Sequence, residues 1–132
     1  MSLKHQVIST NGAPKAIGPY SQAIRVGDLV FCSGQIPLDP ETGELSPGDA
    51  RAQARRAMDN LAAVLAAAGS GLAQVVKTTI FLTDLGDFSA VNEVYGSYFE
   101  GLEGQYPARA CVQVAALPRG ARVEIEAIAL AG

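Results

Sequence analysis

The sequence has a single histidine, His5, and no tryptophan. This scarcity of imidazole excludes the common zinc and haem sites and the Ser-His-Asp triad, because each of them needs histidine as a ligand or as a base. Whatever chemistry the chain performs must therefore use carboxylate, guanidinium, hydroxyl and thiol groups or the backbone.

Cysteine, charge and long apolar segments are also scarce. Two cysteines are too few for the disulfide framework of a small secreted protein. No stretch is long and apolar enough to span a membrane, and the first six residues lack the apolar core of a signal peptide. The net charge of -3 at pH 7 does not indicate the basic surface that is typical of nucleic-acid-binding proteins. These absences predict a cytoplasmic protein with reduced thiols and with neither a membrane nor a nucleic-acid partner.

The residues that are present favour one compact domain over residues 1–132. Hydrophobic residues make up 48% of the chain and charged residues 17%, which is typical of an α/β or α+β protein. Alternating and β-branched runs between turn residues predict six strands. They lie at residues 4–9, 21–26, 29–33, 75–83, 108–115 and 122–130. Apolar residues at steps of three and four predict two helices, from about residue 49 to 69 and from 87 to 99.

The first predicted helix has clear end signals and an alanine-rich apolar side. Asp49 suits the N-cap, and Gly69 suits the position after the helix, where positive φ must be tolerated. The apolar side consists of Ala50, Ala54, Ala57, Leu61, Val64, Leu65 and Ala68. Two helices can cover only one face of a sheet of about six strands, so we predict that the other face is a subunit interface.

Two strands near the end of the chain carry the candidate catalytic residues. In one of them Arg109, Cys111 and Gln113 should point to the side opposite the small apolar residues between them. In the other, Glu124 alternates with apolar residues in the same way. If the two strands pair as a hairpin through the turn at 117–120, Arg109 lies some way from Glu124 along the ladder. A contact between them then needs a neighbouring subunit or a bent strand.

Arg109 and Glu124 each allow a functional and a structural interpretation. The guanidinium of Arg109 offers paired donors that match a carboxylate, but it can equally form a salt bridge with Glu124 or Glu126. Glu124 can hold and activate a water molecule, or it can lie on a solvated sheet edge. The residue types alone favour the structural interpretation of both.

Three further side chains allow the same two interpretations. Cys111 is either a nucleophile or a small buried side chain, and the lack of an activating histidine favours the second. Ser33 is more often a strand-end hydroxyl than a nucleophile. Tyr20, which follows Gly18 and Pro19, is either an aromatic lid or a turn anchor.

Seven sequence blocks between about Val7 and Leu130 occur in the order of one known family. They are residues 16–23 (AIGPYSQA), 33–40 (SGQIPLDP), 53–55 (QAR) with 60–61 (NL), 76–82 (VKTTIFL), 91–95 (VNEVY), 107–112 (PARACV) and 123–129 (VEIEAIA). Together they resemble the RidA (YjgF) family of enamine/imine deaminases, also described as endoribonuclease L-PSP-like. One such block would be weak evidence for the family, whereas seven blocks in the family's order are specific evidence.

The resemblance implies a fold, an assembly and a site. The implied fold is α+β and chorismate-mutase-like, a six-stranded sheet with two helices on one face. Members of the family are homotrimers whose sheets pack into a central barrel, with clefts between subunits. By the resemblance, Arg109 binds the substrate carboxylate and Glu124 holds the attacking water. The positions matching the rest of the cleft are Tyr20, Ser33, Asn92 and the main chain around Cys111.

The activity implied by the resemblance is hydrolysis of 2-imino acids, such as 2-iminopropionate from 2-aminoacrylate, to 2-keto acids and ammonia. A protonated imine is already electrophilic, so positioning and one general acid–base group suffice, and neither a metal nor an organic cofactor is required. Two alternatives stay open: an endoribonuclease acting on RNA, and a non-catalytic ligand-binding or chaperone-like trimer. The acidic charge balance and the lack of a histidine acid–base pair count against the first.

Overall fold

The computed structural model describes residues 4–102 and 105–132. Residues 1–3 and 103–104 lie outside these ranges. Residues 1–3 belong to the segment that was predicted to lack a signal peptide. The six predicted strands and two predicted helices are all present. They are β1 (His5–Ile8), β2 (Ala23–Val26), β3 (Leu29–Gln35), α1 (Ala50–Ala67), β4 (Val75–Leu82), α2 (Phe88–Phe99), β5 (Ala108–Gln113) and β6 (Val123–Leu130). No helix in the described ranges is both long and apolar enough to cross a membrane.

The six strands form one mixed sheet in the order β1-β2-β3-β6-β4-β5. Strands β2 and β3 form the predicted hairpin, in which Gly27 takes the positive φ of 56° that a two-residue turn requires. Strands β4 and β5 run parallel, because α2 connects them as a crossover. Between Cys32 and Gln35 the register of β3 against β6 shifts, so the segment Ser33–Gly34 forms a bulge in the ladder.

The strands that carry Arg109 and Glu124 do not pair as a hairpin, the possibility that the sequence left open. Strand β4 lies between β5 and β6, parallel to the first and antiparallel to the second. After β5 the chain passes the end of β4, where the N–H of Val114 donates to the carbonyl of Leu82 at 2.8 Å. It then enters β6 from the 3-10 turn Pro118–Gly120. The crossover puts β5 at the sheet edge, so β6 pairs with the other side of β4.

Both helices pack on one face of the sheet. All seven positions of the predicted apolar side of α1 are buried. Asp49 caps α1 by accepting a hydrogen bond from the N–H of Ala52 at 3.0 Å, and Gly69 follows the helix with φ 77°. The sheet contributes fully buried Ile80 and Ile125 to this core. Removing a side chain of that size from water contributes about 1.5–3 kcal/mol.

The other face of the sheet carries exposed apolar side chains. Leu29 and Phe31 of β3, Val112 of β5 and Leu130 of β6 are each between 38% and 46% exposed. Helices α1 and α2 both lie on the opposite side. Exposed apolar residues scattered singly are ordinary, but these four share one face of one sheet. We call this surface the open face.

Candidate functional site

Glu124 lies on the open face and lines a cavity of about 540 Å³. Its neighbours Val123 and Ile125 are buried in the core, so alternation along β6 turns Glu124 to the opposite side. The cavity is formed by parts of the segments 14–22, 33–38 and 118–124. We call it the Glu124 cavity.

The surroundings of Glu124 favour the protonated form of its carboxyl. Burial raises the pKa of Glu124 above its usual value of 4.5, and the carboxylate of Glu126 on the same face raises it further. A carboxyl with a raised pKa takes up a proton more readily at neutral pH than an exposed one does. This property suits a group that accepts a proton from water and returns it.

Three buried amide side chains hold the segments that form the Glu124 cavity, and Gln22 holds the first. Its Oε1 accepts from the N–H of Thr10 at 2.7 Å, and its Nε2 donates to the carbonyl of Pro14 at 2.7 Å. The Gln22 side chain is almost completely buried. Pro14 therefore has a fixed place in the cavity wall.

Asn60 and Gln53 of α1 hold the other two segments. The Nδ2 of Asn60 donates to the carbonyls of Ile36 and Leu38 at 3.2 and 3.0 Å. The Oε1 of Gln53 accepts from the N–H of Arg122 at 2.8 Å, just before β6 begins. Because both amides lie on the buried side of α1, the packing of this helix fixes the geometry of the cavity walls.

Tyr20 and Ser33 also line the Glu124 cavity. The hydroxyl of Ser33, which lies in the bulge of β3 and not at its end, donates to the carbonyl of Ser21 at 2.6 Å. The N–H of Tyr20 donates to the carbonyl of Gly18 at 2.9 Å, while the Tyr20 side chain is 54% exposed. The backbone of Tyr20 thus belongs to a turn, and its ring is available to the cavity.

Arg109 lies on the helix-covered side of the sheet, opposite to Glu124. It pairs with Thr78 of β4, whose side chain is buried under the helices. The guanidinium Nη1 donates to Oδ1 of Asn92 on α2 at 2.6 Å. The guanidinium carbon also lies 5.1 Å from the ring centre of Tyr95 and 5.6 Å from that of Phe88, within the range of cation–π attraction. These contacts orient Arg109 over α2.

The ion pair between Arg109 and Glu124 or Glu126 is absent from the described residues. Their two salt bridges join Arg51 to Glu93 and Arg56 to Asp59. The hydrogen bond of Arg109 goes instead to a neutral amide, so no carboxylate of the described chain neutralises its charge. Within one chain Arg109 therefore forms no salt bridge with Glu124 or Glu126, because it lies on the opposite face of the sheet from both carboxylates.

The predicted site residues consequently fall into two groups. Glu124, Tyr20 and Ser33 line the Glu124 cavity, whereas Arg109 and Asn92 line a second cavity of about 420 Å³ on the other side. Cys111 lines neither. Its thiol is partly buried beside the core, and burial raises its pKa, so the thiolate is disfavoured. This supports the structural interpretation of the Cys111 side chain.

Several residues of the two cavities escaped the sequence-based prediction. Tyr95 was assigned only to the apolar side of its helix, because periodicity does not reveal that an arginine stacks on its ring. Gly34, although inside a family block, carried no functional expectation. Arg119 lines the Glu124 cavity with an uncommon φ of 62°, and its guanidinium donates to the carbonyl of Gly43 at 3.2 Å. Only the turn around Arg119 was visible in the sequence.

The architecture and the site together define the class of protein. It is a two-layer α+β protein with an open apolar sheet face, a half-buried carboxyl on that face and an oriented guanidinium on the other. The sequence profile of the family described as Endoribonuclease L-PSP matches residues 10–131. The chain belongs to this family, which confirms the resemblance to RidA found in the sequence blocks.

Individual relatives agree with this membership over almost the whole chain. Protein DfrA of Myxococcus xanthus is 61% identical over 130 residues, which cover 97% of each chain. The 2-iminobutanoate/2-iminopropanoate deaminase of Mus musculus is 54% identical over 131 residues, 99% of this chain and 95% of the relative. The crystal structure of E. coli TdcF with bound serine is 48% identical, covers 96% of this chain and 99% of its own, and gives a TM-score of 0.91. The α+β fold predicted from the sequence is thereby confirmed.

Proposed function

We propose that this protein is an enamine/imine deaminase that hydrolyses 2-imino acids to 2-keto acids and ammonia. The observation that carries the proposal is the Glu124 carboxyl, which lies in a cavity and has a pKa raised by burial. Such a group can hold a water molecule and exchange protons with it. The name of the mouse relative supports the same reaction.

Arg109 is the proposed binding group for the substrate carboxylate. Its guanidinium is oriented by Asn92, Tyr95 and Phe88, and its hydrogen-bond partner is uncharged. An oriented guanidinium can bind a carboxylate through two parallel hydrogen bonds. The serine bound to TdcF, an amino acid with a free carboxylate, agrees with this class of ligand.

The proposed reaction needs one proton carrier. The protonated imine carbon C2 takes the oxygen of water while Glu124 accepts a proton, which gives a carbinolamine. The Glu124 carboxyl then returns the proton to the nitrogen, and the C–N bond breaks with its electron pair on nitrogen. The hydroxyl oxygen forms the keto group and gives its proton to the Glu124 carboxylate, which passes it to the departing ammonia. The products are a 2-keto acid and ammonium, so atoms and charge balance without a metal or an organic cofactor.

Arg109 and Glu124 can act on one substrate only if two copies of the chain meet. Within one copy they lie on opposite faces of the sheet and line different cavities. We therefore assign the site to the cleft between subunits of a homotrimer with a central barrel. The apolar open face supports this assembly, because burying it removes Leu29, Phe31 and Leu130 from water. Tyr20, Ser33, Asn92 and the main chain around Cys111 are the proposed remaining cleft residues.

The decisive experiment measures free imine directly. An amino-acid oxidase generates 2-iminopropionate from alanine, and semicarbazide traps the imine that has not been hydrolysed. We expect the wild-type protein to suppress trapping and accelerate pyruvate release. Arg109→Ala should lose about two orders of magnitude in kcat/KM, because removing one partner of a charged hydrogen-bonded pair costs about 2–5 kcal/mol. Arg55→Ala, which removes an exposed arginine of α1, is the matched control.

The same preparations separate the alternative functions. If the wild-type protein leaves trapping unchanged with several amino-acid precursors, the deaminase proposal fails. Cleavage of RNA that persists equally in Arg109→Ala and Glu124→Gln would not come from this site. A chaperone role based on apolar surface should survive the Arg109 substitution, whereas deamination should not.

A further inference from the structure

Gly34 lies in the bulge of β3, directly against the side chain of Glu124 on β6. A Cβ built on Gly34 would be 2.7 Å from the carboxyl carbon of Glu124 and 3.0 Å from its Cγ. It would be nearer still to Oε2. Contacts this short do not occur between real atoms, so either Glu124 or the strand would have to move.

The backbone of Gly34 does not itself require glycine. The glycines with positive φ include Gly18, Gly27 and Gly69, but not Gly34. A residue with a side chain can therefore adopt the conformation found at position 34. What only glycine provides there is the space that the Glu124 carboxyl occupies.

The bulge creates this space. Pairing of β3 with β6 joins Cys32 to Ala127 and Gln35 to Ile125, so β3 advances by three residues while β6 advances by two. The extra residue interrupts the ladder opposite Glu126, and Gly34 in this bulge lies against the side chain of the neighbouring Glu124. Burial in this recess also accounts for the raised pKa of Glu124.

We infer that Gly34 is a positioning residue, which acts by leaving room for the Glu124 carboxyl in the recess of β3. A side chain at position 34 displaces the carboxyl from the place where it holds water. The catalytic part of this inference rests on the proposed deaminase function. The steric part does not, and it can be tested without any substrate.

The steric part is tested by a double-mutant cycle in thermal stability. Gly34→Ala should lower Tm by about 2 °C or more in the wild-type background, because the new Cβ has to displace the Glu124 side chain or the strand. In the Glu124→Ala background the obstacle is gone, and Gly34→Ala should change Tm by less than about 2 °C. Gly71→Ala is the matched control, since φ there is extended and the new Cβ meets only the end of the Gln74 side chain, at 3.3 Å.

Equal effects of Gly34→Ala in both backgrounds would overturn the inference. If the single variant fails to fold, the Gly34→Ala/Glu124→Ala double variant decides. Its folding supports the inference, and its failure to fold overturns the inference, because the clash would then lie elsewhere.

The positioning part is tested by kinetics and by the titration of Glu124, followed through its carboxyl ¹³C signal. Gly34→Ala should lower kcat for 2-iminopropionate by about tenfold or more and leave KM within about twofold, as expected when a catalytic group is misplaced. The titration midpoint of Glu124 should fall towards that of an exposed carboxyl. If Gly34→Ala folds and neither kcat nor the midpoint changes, the positioning role is refuted. If the wild-type protein has no deaminase activity, the proposed function fails. The double-mutant cycle and the titration still test the placement of Glu124.

Discussion

The raised pKa of Glu124 links the charge state of this residue to the stability of the fold. A carboxyl whose pKa is raised on folding stabilises the folded state only while it is protonated. For Glu124 this stabilisation is present below its unfolded pKa of about 4.5 and is lost as the pH rises through the higher folded-state pKa. Glutamine stays neutral, so Glu124→Gln should have a higher Tm than wild type at pH 8, and the difference should shrink as the pH falls to about 4.5. Thermal denaturation over a series of pH values measures this.

The control for this prediction is Glu41→Gln, which changes an exposed glutamate. Its Tm should follow that of the wild type at every pH. A lower Tm of Glu124→Gln at pH 8 would contradict the prediction and would mean that a cation in the assembled protein compensates the Glu124 charge.

Tyr95 combines two contacts that substitutions can separate. Its ring lies under the guanidinium of Arg109, and its hydroxyl forms a 2.7 Å hydrogen bond with Thr78 in the core. Tyr95→Leu should raise KM for the imino acid about two- to fivefold, because an exposed cation–π contact contributes about 0.5–1 kcal/mol. Tyr95→Phe keeps the ring and should keep KM, although its Tm should fall because the buried Thr78 hydroxyl loses its partner. Steady-state kinetics and thermal denaturation separate the two effects.

An increase of KM in Tyr95→Phe equal to that in Tyr95→Leu would contradict this division. The hydroxyl, rather than the ring, would then hold Arg109. Phe88→Leu offers an independent check, since it removes the second ring near the guanidinium without touching Thr78.

Among the elements, the helices were predictable and the order of the strands was not. The signals of α1 are local, since Asp49, Gly69 and the apolar spacing all lie within one segment of chain. Strand order depends on contacts between distant segments. Nothing in the alternation of the strands that carry Arg109 and Glu124 revealed that β4 lies between them.

The same limit applies to the candidate site. Alternation correctly placed Arg109 and Cys111 on one side of their strand. Whether Arg109 and Glu124 lie on the same face of the sheet follows only from the registers of their strands with β4. In these registers Thr78 pairs with Arg109 and Phe81 pairs with Glu124. The residue types of the site were therefore predictable from the sequence blocks, while their separation onto two faces needed the three-dimensional pairing.

The hydrogen bond between Gln53 and Arg122 should keep the start of β6, the strand that carries Glu124, well ordered. Gln53→Met keeps the length of the side chain but removes the acceptor of the 2.8 Å hydrogen bond. Leaving the N–H of Arg122 unpaired should cost about 1–3 kcal/mol in the free energy of unfolding. We expect faster amide hydrogen exchange at Arg122 and a lower kcat. The same substitution at exposed Gln6 should change neither quantity. Unchanged exchange at Arg122 in Gln53→Met would show that Gln53 does not hold this turn.

At the scale of the whole molecule, we predict that the open face forms the subunit interface. Phe31 is 42% exposed there, and a lysine in its place would bring a charge into any interface formed by this face. Phe31→Lys should therefore yield monomers in light scattering coupled to size-exclusion chromatography, and these monomers should lack deaminase activity. Leu85→Lys alters an equally exposed apolar residue outside the sheet and should preserve both the assembly and the activity. A Phe31→Lys monomer with full activity would refute the proposed intersubunit site.

The placement of Glu124 and Arg109 on opposite faces also has a genetic consequence. In the proposed trimer, no single polypeptide contains a complete active site, because each cleft combines the carboxyl of one subunit with the guanidinium of the next. A cell that expresses Arg109→Ala and Glu124→Gln chains together should regain activity through mixed trimers, although either gene alone is inactive. Mixing wild-type chains with Arg109→Ala chains alone should instead lower the activity only in proportion to the share of defective chains, because each defective chain removes one cleft.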